Sequence, residues 1–357
     1  MIARRTFLAG LAAAAAAAPG AGLAAAGAAA YVATAKLDDN THVLIGLDIA
    51  GNERFRVALP ARAHAGAARP GRAEVVVFAE APGYFALVVD VSADQAIAEL
   101  TPPDGHQFNG HGAYADGGAT LLTVEQTSLG SEGRVGLWDV ASGYTRIGEI
   151  PTHGFGPHDL CLMPDGRTLV VANTGLVTDA QDQTKLNIAE MSPSLAYLSL
   201  AGELLEDIRL DAALRWGAIR HLALRDDGLV GFAMQWQGEP GLGRPLLGLH
   251  RRGRPPTLAQ APRADTLAMK DDGGTTAFSG DGTEIAITSP RGGQVHRFTA
   301  EGVFIGAETL TGVAGIAPYP EGFIATEGYG GIVTLGPQGA RMLAEHDLAW
   351  DEHIVAL

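Results

Sequence analysis

Five of the eleven histidines in this 357-residue chain recur at equivalent points of a repeated sequence pattern. Each stands at the start of a short apolar segment, where the two remaining repeats carry Gly274 and Gly315. The five are His64, His111, His158, His221 and His353. Neutral imidazole nitrogen is a ligand for first-row transition metals, iron and copper among them. The pattern predicts a metal site held by three or four of these imidazoles, or a small metal cluster.

Polar residues end the apolar segments that follow the histidine positions. If the two segments pair as antiparallel strands, the end of the second lies beside the start of the first. The polar residues at these ends include Glu80, Glu125, Asn173, Gln235 and Glu327. A carboxylate beside an imidazole either binds the ion or holds the imidazole in the required tautomer. We therefore expect a supporting polar ring next to the histidines.

Two arginines are predicted at the same end of the fold, Arg220 beside His221 and Arg291 in the segment 289–293. Arginine pairs well with carboxylate and phosphate groups, so both are candidates to bind an anion. Ion pairs with the acidic residues are the alternative. The longest segment without an apolar strand, residues 174–193, contains Lys185 and is expected to cover this end, since long loops in compact domains are usually functional or disordered.

Short apolar runs separated by turn residues indicate which elements position these side chains. They recur with a period of about forty residues, typical of a repeat fold. The turns are Pro70-Gly71, Asp116-Gly117, Asp165-Gly166, Asp227-Gly228, Asp281-Gly282 and Glu321-Gly322. Glycine supplies the positive φ that a tight hairpin requires. The strands that follow are predicted at 74–79, 120–124, 168–172, 229–234, 284–288 and 323–326.

A seventh repeat is divided between the two ends of the chain. Residues 353–357 have the pattern of a first strand, and residues 31–35, 42–48 and 54–59 have the pattern of the other three. A β-sandwich has no reason for such a repeat, and a β-helix has no reason for complementary ends. The sequence predicts an all-β, seven-bladed β-propeller over 31–357, closed by pairing the C-terminal strand with the N-terminal strands. The histidines would then ring one mouth of the central channel.

The first thirty residues have the composition of an export signal. Arg4-Arg5 precedes an Ala-rich apolar stretch that contains no acidic residue, and the pair resembles the twin-arginine signal of bacterial export. We therefore expect a periplasmic protein whose signal, residues 1–30, is removed, leaving no membrane span. An uncleaved N-terminal anchor is the alternative, because the apolar run is long enough to cross a bilayer.

Charge and composition exclude several classes of protein. The chain has 25 Lys and Arg against 40 Asp and Glu, a net charge of −15. A surface of this sign repels nucleic acid and anionic lipid, so neither is an expected partner. The single Cys excludes a disulfide scaffold, and no Cys-x-x-Cys-His motif occurs, so haem c is not expected. No Gly-x-Ser-x-Gly or Walker motif occurs either, and whether the protein is an enzyme stays open.

Several local motifs resemble those of a family of exported bacterial propellers known as DUF1513. They are Gly110-His111-Gly112, residues 153–160, residues 163–166, Val171-Ala172-Asn173, residues 185–187, residues 193–195, residues 219–222 and residues 289–293. The resemblance implies a periplasmic seven-bladed propeller. It also implies partners among other proteins of periplasmic iron uptake, because members are commonly encoded near imelysin-like and dihaem-peroxidase-like proteins. No catalytic residues are established for the family.

Three hypotheses for function follow from these observations. The first is a metal-binding propeller that holds iron or copper and takes part in iron acquisition or a linked redox step. The second is a scaffold that binds a partner protein and uses the histidines to lock its blades together. The third is a lactonase-like hydrolase in which Glu80, Glu125, Asn173 and Glu327 hold calcium. The chemistry of the ligands separates them: nitrogen favours iron or copper, oxygen favours calcium, and a scaffold needs no metal.

Overall fold

The computed structural model describes residues 29–357, in which seven four-stranded antiparallel sheets form a ring. The predicted seven-bladed propeller is confirmed. The predicted export signal lies outside the described residues except for its last two. Among the described residues, no helix is long and apolar enough to cross a membrane.

Four of the blades are built from the two ends of the chain and from its first half. The blade that joins the ends consists of β28 (Ala349–Ala356), β1 (Tyr31–Lys36), β2 (His42–Leu47) and β3 (Glu53–Leu59). The next two are formed by β4 (Ala63–Ala68), β5 (Glu74–Ala79), β6 (Ala86–Asp90), β7 (Gln95–Leu100), and by β8 (His106–Ala115), β9 (Thr120–Thr127), β10 (Glu132–Asp139), β11 (Thr145–Phe155). The fourth is formed by β12 (Pro157–Leu162), β13 (Thr168–Asn173), β14 (Ser194–Ser199) and β15 (Leu204–Ile208).

The second half of the chain forms the other three blades. They consist of β16 (Gly217–Leu224), β17 (Val230–Trp236), β18 (Leu247–His250), β19 (Thr257–Ala259); of β20 (Thr276–Phe278), β21 (Glu284–Ser289), β22 (Gln294–Thr299), β23 (Phe304–Thr309); and of β24 (Val313–Tyr319), β25 (Gly322–Glu327), β26 (Gly331–Gly336), β27 (Gly339–Glu345). The helical elements among the described residues are α1 (Arg263–Ala268) and two short 3₁₀ turns, Asp116–Gly118 and Ala212–Leu214.

Position within a blade decides how apolar each strand is. The second strand β5 has the sequence EVVVFA, and its last five residues are buried because neighbouring blades cover both of its faces. The outermost strand β7 has the sequence QAIAEL and is mostly exposed. Strands buried on both sides have continuous apolar runs rather than alternation. This is why the second and third strands were predictable from composition alone.

The first strand of each blade lies innermost and contacts the first strand of the next. These contacts run around the ring from β4 through β8, β12, β16, β20 and β24 to β28, and from β28 back to β4. The ring closes within one sheet, where Tyr31 on β1 pairs with Ala356 on β28 and Ala33 pairs with Ile354. Closure leaves no strand edge exposed between the first and last blades.

The predicted position of the histidines within their strands is partly wrong. His64 and His158 are the second residues of β4 and β12, as expected for residues that open a strand. His111, His221 and His353 lie well inside β8, β16 and β28, which begin several residues earlier. In particular, β28 begins at Ala349 rather than at the predicted residue 353. The side chains nevertheless arrive at one place, because the strands are not regular there.

Candidate metal centre

Each of the five histidines lies where its strand departs from regular pairing. The register with the neighbouring strand shifts between Ala63 and Gly66, Phe108 and Gly112, Pro157 and Asp159, Ile219 and Leu222, and Trp350 and Ile354. A β-bulge inserts extra residues on one strand and changes the direction of their side chains. The bulges thus account for how strands of different length direct their imidazoles to the same point on the axis.

The five imidazoles form one compact cluster across the channel. The ring centroids of His64 and His353 lie 4.6 Å apart, those of His64 and His111 5.0 Å, and those of His221 and His353 4.8 Å. His158 joins the group at 4.6 Å from His221 and 5.1 Å from His111. All five residues are at least nine-tenths buried. The cluster is therefore a feature of the interior, enclosed by five different blades.

Four of the five histidines present nitrogen atoms to one another at distances compatible with a shared ion. Ligand nitrogens of His64, His111, His221 and His353 all lie within 4.8 Å of one another. The Nε2 atoms of these four are buried and have no hydrogen-bond partner among the described residues. In a tetrahedral site with metal–nitrogen bonds of about 2.0–2.1 Å, the nitrogens lie about 3.3 Å apart. Binding an ion would therefore shorten the longest distance between two of these nitrogens by up to about 1.5 Å.

The Nδ1 atoms of three of these histidines have partners suited to holding the ring in place. Nδ1 of His64 lies 3.1 Å from a carboxylate oxygen of Glu80 and 3.4 Å from one of Glu352. Nδ1 of His111 lies 3.2 Å from Asp159, and Nδ1 of His221 lies 3.0 Å from the backbone carbonyl of Gly274. An acceptor at Nδ1 keeps the proton there and leaves the Nε2 lone pair free. Metal-binding histidines in proteins are commonly arranged in this way.

These contacts link neighbouring blades. Asp159 follows His158 on β12 but meets His111 on β8, and Glu352 precedes His353 on β28 but meets His64 on β4. Arg220 likewise precedes His221 on β16 and meets His158 on β12. Successive residues of a strand point to opposite sides, so the neighbour of each histidine is directed at the adjacent blade. Three blades, those of β12, β16 and β28, thus supply one imidazole each and contact the imidazole of another blade.

Burial keeps most of the cluster neutral. Removal from water lowers the pKa of His158, His221 and His353 well below the usual value for histidine, and the nearby imidazoles and Arg220 lower it further. For His64 burial acts in the same direction, but the hydrogen bond to Glu80 and the charges of Glu80 and Glu352 outweigh it and raise the pKa. Neutral imidazole is the form that binds a metal ion.

His158 differs from the other four. Its Nε2 lies 2.6 Å from Nη2 of Arg220, whose guanidinium can only donate. Nε2 must therefore accept, which places the proton of the neutral ring on Nδ1. That Nδ1 is buried and has no partner among the described residues. While the bond to Arg220 persists, neither nitrogen of His158 offers a lone pair for a metal, so the candidate ligands are the other four histidines.

A group of carboxylates and one arginine lies beside His64 at the mouth of the channel. Arg62 donates to Asp351 at 2.8 Å and lies 3.9 Å from Glu80 and 3.8 Å from Glu352. His64, Glu80 and Glu352 also have ligand atoms close enough to share an ion. Burial raises the pKa of Glu80, but the bond to His64 and the charge of Arg62 outweigh this and lower it to about 2. Glu80 is therefore a charged partner of His64.

Comparison with known proteins places the chain in a family. The family model described as "Protein of unknown function (DUF1513)" matches residues 57–357. The chain belongs to the DUF1513 family. No curated protein matches the sequence. Among solved structures, this DUF1513 chain is similar to one titled Kuenenia stuttgartiensis Hydrazine Synthase, with 14% identity, a TM-score of 0.59, and coverage of 86% of this chain and 89% of the other. At this level of identity the likeness shows the propeller fold alone.

The polar residues predicted to support the cluster of the DUF1513 protein divide into two groups. Glu80 contacts His64 directly, and Gln235 reaches the cluster through Arg220, whose Nη1 donates to its Oε1 at 2.6 Å. Glu125 and Asn173 have other partners. The buried Glu125 carboxylate accepts from Thr123 and Arg146, both at 2.6 Å.

The amide of Asn173 donates to the carbonyl of Thr152 and to Ser194. The partners of Glu125 lie within its own blade, and those of Asn173 lie in its own blade and in the preceding one, rather than in the histidine cluster. The side chain of Glu327 lies against Gly331 within its own blade. Asn173 and Glu327 are the last residues of β13 and β25, as predicted, whereas β9 continues for two residues beyond Glu125. A position near the correct end of a strand does not decide on which side of the strand a side chain lies.

The two predicted arginines also differ. Arg220 lies at the cluster, bonded to His158 and Gln235. Arg291 is largely exposed on the loop between β21 and β22, with its Nε 3.8 Å from Asp272. Residues 174–193 connect β13 to β14 at the same mouth, as predicted. Within that loop Lys185 donates to Gln237.

Sequence reasoning missed several residues that orient the site. Asp159, Glu352, Asp351, Arg62 and Asp272 all contact the cluster or its immediate partners. A signal for two of them was present, because Asp159 and Glu352 are adjacent in sequence to His158 and His353. An acidic residue adjacent in sequence to one of the repeated histidines is therefore a usable indicator of such a partner.

Proposed function

We propose that this DUF1513 protein is a periplasmic metal-binding propeller that holds one iron or copper ion through His64, His111, His221 and His353. One observation carries the proposal: these four histidines have ligand nitrogens within 4.8 Å of one another, and their buried Nε2 atoms have no hydrogen-bond partner among the described residues. A buried polar atom left without a partner costs about 1–3 kcal/mol. Four such atoms in one place are costly for a fold unless they have a ligand to bind.

The donor set favours a transition metal over calcium. All four proposed ligands are imidazole nitrogens, which suit iron, copper and other first-row ions, whereas calcium takes six to eight oxygen atoms. The carboxylates nearest the cluster are engaged with His64 and Arg62. Glu125 and Asn173, which a calcium-dependent hydrolase would require, have partners elsewhere. The lactonase-like alternative therefore has less support.

The scaffold alternative makes a different demand on the histidines. Imidazoles that only lock blades together should use both nitrogens on neighbouring backbone or side-chain groups. Contacts of that kind occur at Nδ1, as between His221 and the carbonyl of Gly274. At Nε2 they do not occur within the described residues for the four proposed ligands. This asymmetry favours a centre that orients its ligands over one that merely joins blades.

The biological role that we propose is iron acquisition or a linked redox step outside the cytoplasm. The twin-arginine-like segment of the sequence supports export, since that route carries proteins already folded, with cofactors in place. The partners would be other periplasmic iron-uptake proteins. A buried four-nitrogen centre holds its ion in a water-poor interior, which suits either the retention of a metal or a change of its oxidation state.

The deciding experiment is metal analysis of the protein purified from the periplasmic fraction. We expect close to one iron or copper ion per chain. The metal should be lost in the variant His111→Ala/His221→Ala and retained in His106→Ala, whose imidazole lies outside the cluster near Asp104 and Glu149. Removal of the ion by a chelator should lower the free energy of unfolding, because a ligand present at a thousandfold excess over its Kd stabilises a protein by about 4 kcal/mol.

Three results would contradict the proposal in different ways. Protein that contains no metal and takes up neither copper nor ferrous iron in titration would favour the scaffold. Uptake of calcium alone, unaffected by the double histidine variant, would favour the oxygen-rich alternative. Recovery of the folded protein only in the cytoplasm would contradict the proposed location.

A further inference from the structure

Arg220 is a partly buried cation that has no ion-pair partner among the described residues. Its guanidinium donates to His158 and to Gln235, both uncharged acceptors, and no carboxylate of the described residues lies within 4 Å of it. Arginine has five N–H donors, so three remain available after these two bonds. Its Nε is itself buried and has no hydrogen-bond partner. A charge removed from water normally acquires a partner of opposite sign.

The carboxylates nearest to Arg220 are already engaged by other groups. Glu80 and Glu352 lie against His64 and Arg62. Asp272 accepts from Nε2 of Gln235 at 3.0 Å and from the backbone N–H of Arg291 at 3.1 Å. Their charges act on Arg220 only at longer range. The positive charge at the cluster is therefore not neutralised by a direct contact within the protein.

A second cation, Lys185 in the loop between β13 and β14, is connected to Arg220 by hydrogen bonds through Gln237 and Gln235. Leu176 and Met191, at the two ends of this loop, pack on Ala218, two residues before Arg220. Lys185 lies between them in sequence, is exposed, and is bonded only to the neutral Gln237. Partial removal of its amine from water, together with the nearby positive charges of Arg220 and Arg291, lowers the pKa of this largely exposed lysine. Three cationic side chains thus converge on one mouth of a protein whose net charge is −15.

We propose that this mouth binds a small ligand bearing a carboxylate or another oxyanion, held between Arg220, Lys185 and Arg291. The guanidinium of Arg220 bonds such groups with paired N–H donors, and Lys185 adds a compact charge from the loop. The inference rests on the proposed function, because it places the anionic group of the ligand beside the metal centre. The bond from Arg220 to His158 connects the anion site to the cluster.

The arrangement also specifies the class of ligand. The free donors of Arg220 and the charges of Lys185 and Arg291 would attract an anionic ligand, free or complexed with a metal. The space lies next to four imidazoles, so the remainder of the ligand would face the metal. Small organic acids and inorganic oxyanions both fit this chemistry, and the experiment must separate them.

Calorimetric titration of the full-length protein with malonate and with inorganic phosphate tests the proposal. Each probe is used on metal-free and metal-loaded protein. We expect binding that weakens about tenfold in Arg220→Gln and about threefold in Lys185→Gln, since charge-assisted hydrogen bonds are the stronger class. Arg225→Gln is the matched control: Arg225 follows the opposite end of β16 and pairs with Asp227, so its loss should leave binding unchanged.

The outcomes distinguish this inference from the proposed function. If either probe binds metal-free protein in a manner that depends on Arg220, the anion site stands even if no metal ever binds. If metal binds but neither probe does, or if Arg225→Gln weakens binding as much as Arg220→Gln, the inference is overturned while the metal centre stands. If Arg220→Gln fails to fold, titration of the Lys185→Gln variant is the deciding measurement. Unchanged binding in that variant overturns the inference. Preference for malonate over phosphate, or the reverse, identifies the ligand class.

Discussion

Five blades of the propeller bring an imidazole to the axis, and two bring a glycine. The glycines are not simply positions where a ligand is missing. A Cβ atom on Gly315 would lie 2.6 Å from the backbone nitrogen of Ile354 and 2.8 Å from the carbonyl carbon of His353. The blade of β24 therefore allows the backbone that carries a ligand to approach closely, which no larger residue would permit.

Gly274 plays a different part in the blade of β20. Its carbonyl accepts from Nδ1 of His221 at 3.0 Å, so it orients a ligand without contributing a side chain. A Cβ at this position would meet Thr288 Oγ1 at 2.7 Å and Pro290 Cδ at 2.8 Å. Seven similar blades therefore have three roles at the axis: five supply an imidazole, one a carbonyl that orients an imidazole, and one a glycine that permits close backbone approach.

The largest expected effect is the loss of metal affinity when a histidine of the cluster is replaced. Replacing His353 by Ala should weaken metal binding by at least about a hundredfold, more than the loss of an orienting partner costs, because it removes one of four ligands. His158→Ala removes an imidazole of the same cluster that accepts from Arg220 and is not one of the proposed ligands, and it should weaken binding much less. Equilibrium competition of each variant with a metal-binding dye measures the difference. Equal losses in the two variants would show that His158 is a ligand and that the cluster has five equivalent members.

The next largest expected effect is on the free energy of unfolding when one of the two glycines at the axis is replaced. Gly315→Ala forces a methyl group against the backbone at His353, and overpacking of this kind costs about 1–3 kcal/mol. Denaturant unfolding of metal-free protein should show this loss, and metal binding should weaken with it because His353 moves. The control Gly306→Ala lies on β23, where a Cβ would meet nothing within 4 Å. A stable Gly315→Ala variant with normal metal binding would mean that the glycine is only a missing ligand.

The smallest effect is at an orienting side chain. Asp159→Asn keeps the shape of the partner of His111 but removes its charge, and metal binding should weaken by about tenfold, the lower end of what such partners contribute. Asp159 also accepts from the backbone N–H groups of Leu160 and Leu222, one at each carboxylate oxygen, and the single oxygen of the amide can keep only one of these bonds. Metal affinity measured beside thermal stability separates the two roles. A loss of stability with unchanged affinity would assign Asp159 to holding the blades together.

The sequence predicted the blades well because their signals are local. Turn pairs such as Asp165-Gly166 and the apolar runs behind them require only adjacent residues, and the predicted strand 74–79 coincides with β5. The register of the histidines followed from the same repeat. What could not be predicted was the bulge at each histidine, which depends on how two strands of unequal length pair.

The partners of the histidines were predicted less well for a related reason. Glu80 was expected near the cluster and contacts His64, whereas Glu125 was expected there and binds Arg146. Glu80 directly follows the last residue of β5, whereas β9 continues for two residues beyond Glu125, so the two carboxylates do not occupy equivalent positions. The contact between His111 and Asp159 joins two blades, and no local pattern specifies such a pair.

Closure of the ring by β28 has a consequence for the order of events in biogenesis. His353 is carried by the last strand, whereas His64 lies near the start of the propeller. Four ligands can meet only when both ends of the chain have been synthesised and joined, so a nascent or truncated chain cannot trap an ion at this centre. Bound metal would in turn act as a clasp across the seam, because opening it would separate His353 from the other three ligands. A bound metal ion would then indicate that the ring of blades has closed.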